Sequence, residues 1–263
     1  EYDFVDAREI DEIRVKIQAN TRVLILESPN TLTFEIQDLK ACAELAKSNG
    51  IITIIDNSHC SPLYQNPAKL GIDIVIHTAT KYLNGHSDVV MGAICGSEAM
   101  MRKIFASEFM TLGLNVSPHD AFLALRGLRT LPMRLERSNN TAARLVDYLS
   151  THPKIRKIYY PFLASNEQFE LAKSQMRGAG GLLSIELDTD EKTKVNDFVN
   201  ALDRFLLAVS WGGYESLKMP SLAFYDVPGQ PDPPLPFQLV RLYAGLEEED
   251  YLIGNLDKAL KVL

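Results

Sequence analysis

The sequence is poor in the residues that build metal centres and disulfide frameworks. Its three cysteines, Cys42, Cys60 and Cys95, stand far apart in 263 residues. None forms a C-x-x-C pair, so neither a zinc site nor a disulfide framework is signalled, and reduced thiols in a cytoplasmic protein are expected. The five histidines show no H-x-H or H-E-x-x-H spacing, so metal catalysis has no support. No apolar run approaches the roughly 18 residues of a membrane span. The longest runs, such as IITII (51–55), suit buried strands. No secretory n-region or h-region opens the chain. An excess of positive charge is also missing: the formal net charge is -7. That argues against nucleic acid or an anionic membrane as the main partner. Internal repeats are absent. The one biased segment, DVPGQPDPPLPF (226–237), reads as a surface loop.

What is present is a sizeable apolar fraction, 46%, enough for one large or two modest domains. The first half alternates. TRVLILES (21–28), IITIID (51–56), LGIDIVIHTAT (70–80) and VVMGAICG (89–96) contain strands. DLKACAELAKSNG (38–50) reads as a helix, with Asp38 as N-cap, Gly50 as stop and Leu39, Cys42, Leu45 and Ala46 as its apolar face. Strand–helix–strand spacing predicts an α/β layer with a mostly parallel sheet. Continuous apolarity predicts cover on both faces. The middle is helical over 119–153, with Pro132 predicted to kink it or to join two helices. Strands at 181–187 and 238–245 alternate with helices at 193–202 and 247–263. These predict a large domain over 1–127 and a smaller C-terminal α+β domain over 128–263.

Asp56 and Lys81 both follow apolar strands, and open parallel sheets bind ligands at the carboxyl ends of their strands. A lysine amine condenses with an aldehyde to a Schiff base, and pyridoxal 5'-phosphate is the commonest such cofactor. It needs an acid beside its ring nitrogen and several donors for its phosphate. In HTATK (77–81), an extended backbone would turn the Thr78 and Thr80 hydroxyls the same way. On spacing alone, Lys81 as a solvated side chain and Asp56 as a cap remain the commoner readings.

The longer motifs IIDNSHCSP (54–62) and GIDIVIHTATKYLNGHSDVVMGAIC (71–95) resemble the cysteine/methionine-metabolism family of pyridoxal-phosphate enzymes. LRGLRTLPMRLERS (125–138), AVSWGGYESL (208–217) and VRLYAGLEEEDYLIGNLDKAL (240–260) continue the resemblance in the family's order. It implies the aspartate-aminotransferase-like fold (fold type I, three-layer α/β/α). It implies that Lys81 is the Schiff-base lysine, that Asp56 pairs with the pyridine nitrogen and that Thr78 and Thr80 bind the phosphate. Arg241 is implied to bind the substrate α-carboxylate, a role its planar fork suits, and Ser210 to lie on the substrate side. For Trp211, the only tryptophan, core packing and a substrate contact stand as equal alternatives. His86 and Asp88 are expected to fix the loop after Lys81.

SWGGYESL and LESPNTLT (26–33) resemble the bacterial cystathionine β-lyase branch. That implies α,β-elimination from a small sulfur amino acid to homocysteine, pyruvate and ammonia, by a homo-oligomer built as a dimer of active dimers. γ-Elimination and γ-replacement use the same lysine and aspartate. Two departures stand out. His59 replaces an aromatic, and Thr31-Leu32 replaces Asn-Pro, removing an asparagine implied to contact the cofactor ring.

The family's N-terminal portion supplies a glycine-containing phosphate loop, a tyrosine stacked over the ring and a segment reaching a neighbouring subunit. These have no counterpart in the residues given, which open on EYDFVDAREI. The expectation is the remainder of a longer enzyme, binding pyridoxal phosphate weakly by itself, with Lys81 and Asp56 contacting each other or water. The competing expectation, from another class, is a non-catalytic fragment or interaction module.

Overall fold

The computed structural model describes residues 1–263. The chain opens with α1 (Ile10–Lys16), β1 (Val23–Glu27), α2 (Leu39–Ser48), β2 (Ile52–Asp56), the single turn α3 (Ser61–Tyr64), β3 (Ile74–Thr78) and β4 (Gly92–Gly96). The sheet order is β1-β2-β3-β4. The first three strands are parallel, and β4 returns antiparallel to β3. α2 starts where Asp38 accepts from the Ala41 N–H at 3.0 Å and stops before Gly50, whose φ of +67° an L-side chain rarely adopts.

Register decides what faces what. Glu27, Asp56, Ile76 and Ile94 are lateral neighbours and share one face. Leu26, Ile55 and Val75 share the other, where they pack with Ile13 of α1 and with Leu39, Cys42, Ala43 and Leu45 of α2. Within this chain only that second face is covered. On the first, Ile25 is 73% exposed and Ile94 52%. The site residues of β2 and β3 lie on this more open face.

After α4 (Glu98–Ile104), a π-helical turn (Phe105–Phe109) and α5 (Met110–Leu112), the long α6 (Pro118–Ser150) runs through Pro132 without ending. The expected junction is therefore absent. Leu131 and Leu135, either side of the proline, are buried with Phe34, Tyr82 and Tyr243, which offsets an interior proline's cost of about 3 kcal/mol. α6 also runs across residues 127/128, so the two expected units are joined by an unbroken helix.

Then follow β5 (Ile155–Tyr159), α7 (Phe169–Gln175), β6 (Leu182–Leu187), α8 (Lys192–Ala201), β7 (Leu206–Leu207), β8 (Leu217–Pro220), β9 (Leu239–Tyr243) and α9 (Glu249–Leu260). The second sheet, β5-β6-β9-β8-β7, is antiparallel except for the β7–β8 pair. α6, α8 and α9 bury Leu145, Leu149, Phe198 and Leu256 against Leu183, Ile185, Val240 and Leu242. At the start of α9, Glu249 and Asp250 complement the helix dipole. β9 is buried along its whole length, which puts Arg241 inside the protein.

Candidate active site

β3 ends at Thr78, and Lys81 follows in a turn. The Lys81 N–H donates to Thr78 O at 3.0 Å, and the Gly85 N–H donates to Lys81 O at 2.8 Å. The strand stops because Thr80 is tied elsewhere. Its N–H donates to Met91 O at 3.1 Å, and its hydroxyl accepts from the Met91 N–H at 3.0 Å. The expectation of one extended run presenting Thr78 and Thr80 alike is thus corrected. Thr78 sits on the strand, and its hydroxyl makes no hydrogen bond within the fold, whereas Thr80 braces the turn. The Thr80 hydroxyl makes only a long contact of 3.4 Å as donor to Met91 O, which leaves its proton available to an anion.

The turn is held from below. Asn84 donates to Asp88 at 2.7 Å, and the His86 ring nitrogen meets Asn84 O at 2.7 Å. Both residues thus brace the loop, as expected. The buried Arg134 donates to Tyr82 O at 3.0 Å and to Gly127 O at 2.8 Å. Gly212, at φ +87°, lies so close that an added Cβ would stand 2.8 Å from Tyr82 N and 2.9 Å from Lys81 Cα. This glycine brings the 210–213 segment onto the lysine turn.

Around the amine, Lys81 Nζ donates to Ser210 Oγ at 2.7 Å and lies 5.3 Å from the centre of the Trp211 ring. Burial, and then the nearby Arg241 charge, lower the Lys81 pKa from its ordinary value. Arg241 is buried, which pulls its pKa down to about 10 and leaves it cationic near neutrality. It donates to Thr31 Oγ1 at 3.1 Å, to Val209 O and to Ser210 O at 3.4 Å. Lys81, Ser210, Trp211 and Arg241 are therefore brought together. Trp211 also packs edge-on to Tyr82, with ring centres 5.3 Å apart, so it both packs and faces the amine.

Asp56 ends β2 and accepts from the Ser58 N–H at 2.9 Å, while Ser58 Oγ accepts from the Thr78 N–H at 2.6 Å. Asp56 and Lys81 are not ion-paired, contrary to the expected contact, because Lys81 turns to Ser210. Beside Asp56, burial and then the Asp56 charge raise the Glu27 pKa. His59 is buried between Phe34 and Trp211, with ring centres at 5.4 and 6.3 Å, and neither of its ring nitrogens has a partner. Burial pushes its pKa down to about 4, and the Arg241 charge acts in the same direction. Thr31, Ser58 and Arg134 were not singled out for these contacts by sequence. Their partners lie 20 to 210 positions away, and no local spacing encodes them. A separate cleft of ≈ 790 Å³, lined by Asp6, Arg8, Glu35, Arg156, Tyr159 and Gln168 among others, does not include Lys81.

The crystal structure of cystathionine gamma synthase from Xanthomonas oryzae pv. oryzae in complex with cystathionine superimposes with a TM-score of 0.91 and 34% identity, covering 98% of this chain and 67% of that one. The fold is therefore the aspartate-aminotransferase-like, fold type I architecture. The model of the Cys/Met metabolism PLP-dependent enzyme family matches residues 1–261, and the chain belongs to that family. Cystathionine beta-lyase of Coxiella burnetii is 41% identical over 220 residues, 82% of this chain and 56% of that protein. Cystathionine beta-lyase of Bacillus subtilis is 37% identical over 265 residues, 99% of this chain and 67% of that protein. The chain thus spans between half and two thirds of the length of these relatives.

Pyridoxal phosphate is the family's cofactor. The side chains present fit it: a desolvated amine at Lys81, a carboxylate at Asp56 with an oxygen to spare, an unengaged hydroxyl at Thr78 and a free proton at Thr80.

Proposed function

We propose that this chain carries the lysine-bearing part of a pyridoxal-phosphate-dependent carbon–sulfur lyase, most like cystathionine β-lyase. The observation that carries the reading is the half-buried Lys81 amine, its basicity lowered, between the Ser210 hydroxyl and the field of a buried arginine. When bound, the cofactor supplies an electron sink that acidifies the substrate α-carbon. Lys81 would hold it covalently, Asp56 its ring nitrogen, and Thr78 and Thr80 its phosphate. Arg241 binds the substrate α-carboxylate through its planar fork. Released from the cofactor, Lys81 takes the α-proton, for which a depressed pKa keeps a larger share of the amine neutral. Ser210 accepts from the amine and orients it. Trp211 covers the amine and keeps water from it.

Overall, cystathionine and water would give homocysteine, pyruvate and ammonia. β- over γ-cleavage is favoured by Trp211 directly after Ser210 and by Thr31-Leu32 in the loop that meets Arg241. We further propose a homo-oligomer, a dimer of active dimers, supported by the exposed apolar side chains of Phe105, Met110, Leu112, Phe122 and Leu125. A cytoplasmic setting is supported by three free cysteines. No helix is long and apolar enough to cross a membrane.

The test is product analysis of the full-length protein with pyridoxal phosphate and L-cystathionine. Pyruvate with homocysteine is expected. 2-Oxobutyrate with cysteine would replace the β-lyase reading by the γ-lyase one, and no turnover would favour a non-catalytic module.

A further inference from the structure

The segment Ile36–Leu39 links the Thr31 loop to α2. Ile36 and Leu39 are fully buried and Gln37 nearly so, and buried backbone groups need partners. Neighbouring strands supply none to this stretch. One side chain serves Ile36 on both sides: Gln168 Oε1 accepts from the Ile36 N–H at 2.9 Å, and Gln168 Nε2 donates to Ile36 O at 2.7 Å. Two helical turns further along α7, Gln175 repeats the grip. Its Oε1 accepts from the Leu39 N–H at 3.3 Å, and its Nε2 donates to Gln37 O at 2.9 Å. Only a carboxamide offers a donor and an acceptor in one plane for such a task.

What this grip carries is the loop that reaches the arginine. The Gln37 N–H donates to Ser28 Oγ at 3.0 Å, and the Asn30 N–H donates to Glu35 O at 3.0 Å. Inside, Asn30 Nδ2 donates to Thr33 Oγ1 at 3.1 Å and to Glu35 Oε2 at 2.9 Å. The loop is thus a closed, internally bonded unit. Thr31 at its crown accepts from Arg241. A unit braced in this way moves as one body, so the seat of its stem on α7 sets where Thr31 stands relative to Arg241.

We propose that Gln168 and Gln175 are positioning residues: they seat the 28–37 loop on α7 so that Thr31 holds the Arg241 guanidinium in register for an α-carboxylate. The proposal rests on the reading of Arg241 as the carboxylate-binding residue. The experiment uses the full-length protein with pyridoxal phosphate, L-alanine as the probe and spectral titration as the readout. Q168L and Q175L should each raise the L-alanine Kd about three- to tenfold, the effect of losing one properly held charge-assisted contact, with cofactor affinity unchanged. Q168E, which can still accept from the Ile36 N–H, should fall between Q168L and wild type. Hydrogen exchange over 36–39 should speed up in all three variants. A double-mutant cycle reads the route: T31V/Q168L should bind L-alanine no worse than T31V alone. If R241A leaves the Kd unchanged, the Arg241 reading fails and the proposal with it. If R241A weakens binding but the glutamine variants do not, or if their losses add in full to that of T31V, the positioning role alone is overturned.

Discussion

Arg241 donates to the Thr31 hydroxyl at 3.1 Å although 210 positions separate the two residues. Thr31→Val removes the acceptor and keeps the shape. We expect amino-acid affinity to fall by up to about tenfold, the range of one charge-assisted hydrogen bond partly compensated by the Val209 and Ser210 carbonyls. Titration of the full-length protein with an amino acid checks this, and an unchanged Kd would make the contact incidental.

Gly212 and Gly254 make opposite predictions for the same substitution. Gly212→Ala forces a Cβ against the backbone of Lys81 and Tyr82 at a positive φ, which should destabilise by about 1–3 kcal/mol. Gly254 lies inside α9 with nothing within 4 Å of an added Cβ, so Gly254→Ala should stabilise by about 0.5–1 kcal/mol. Chemical denaturation of the two variants beside wild type reads both signs.

His59 predicts acid sensitivity. Its folded pKa of about 4 lies below its ordinary 6.5, so between these values the unfolded state binds more protons. Stability is therefore complete above pH 6.5 and declines as pH falls toward 4, by about 3 kcal/mol for a shift of this size. Burial lowers the pKa of His77 as well, so His59→Phe should flatten this slope without abolishing it. Denaturation midpoints at pH 7 and pH 4.5 decide the matter, and equal slopes in both proteins would contradict the assignment.

Removing the Arg241 charge should act on Lys81. Burial and Arg241 both lower the lysine's pKa, so Arg241→Gln should raise it and shrink the neutral fraction at a given pH. Competitive acylation of the cofactor-free full-length protein across pH would show the Lys81 titration moving to higher pH. No movement would place Arg241 outside the amine's field.

The sequence was most legible where structure is local. Asp38 and Gly50 bound α2 because a cap and a left-handed stop act within one turn of chain. Lys81 and Asp56 were legible through their long motifs and their place after apolar strands. The turn that ends β3 was not, because it is tied by Met91, eleven positions on. Nor was the passage of α6 through Pro132, where tertiary burial of Leu131 and Leu135 overrides a local helix breaker. The Arg241–Thr31 contact and the glutamine grip on Ile36 join residues more than 130 positions apart, and only the fold reveals them.

The central claim is that Lys81 is the residue that holds the cofactor. Borohydride reduction of the full-length protein in the presence of pyridoxal phosphate, followed by peptide mass mapping, tests it most directly. The account predicts the added cofactor mass on the peptide containing Lys81, and its loss in Lys81→Ala. Labelling of a different lysine, or equal labelling of the Lys81→Ala protein, would contradict it.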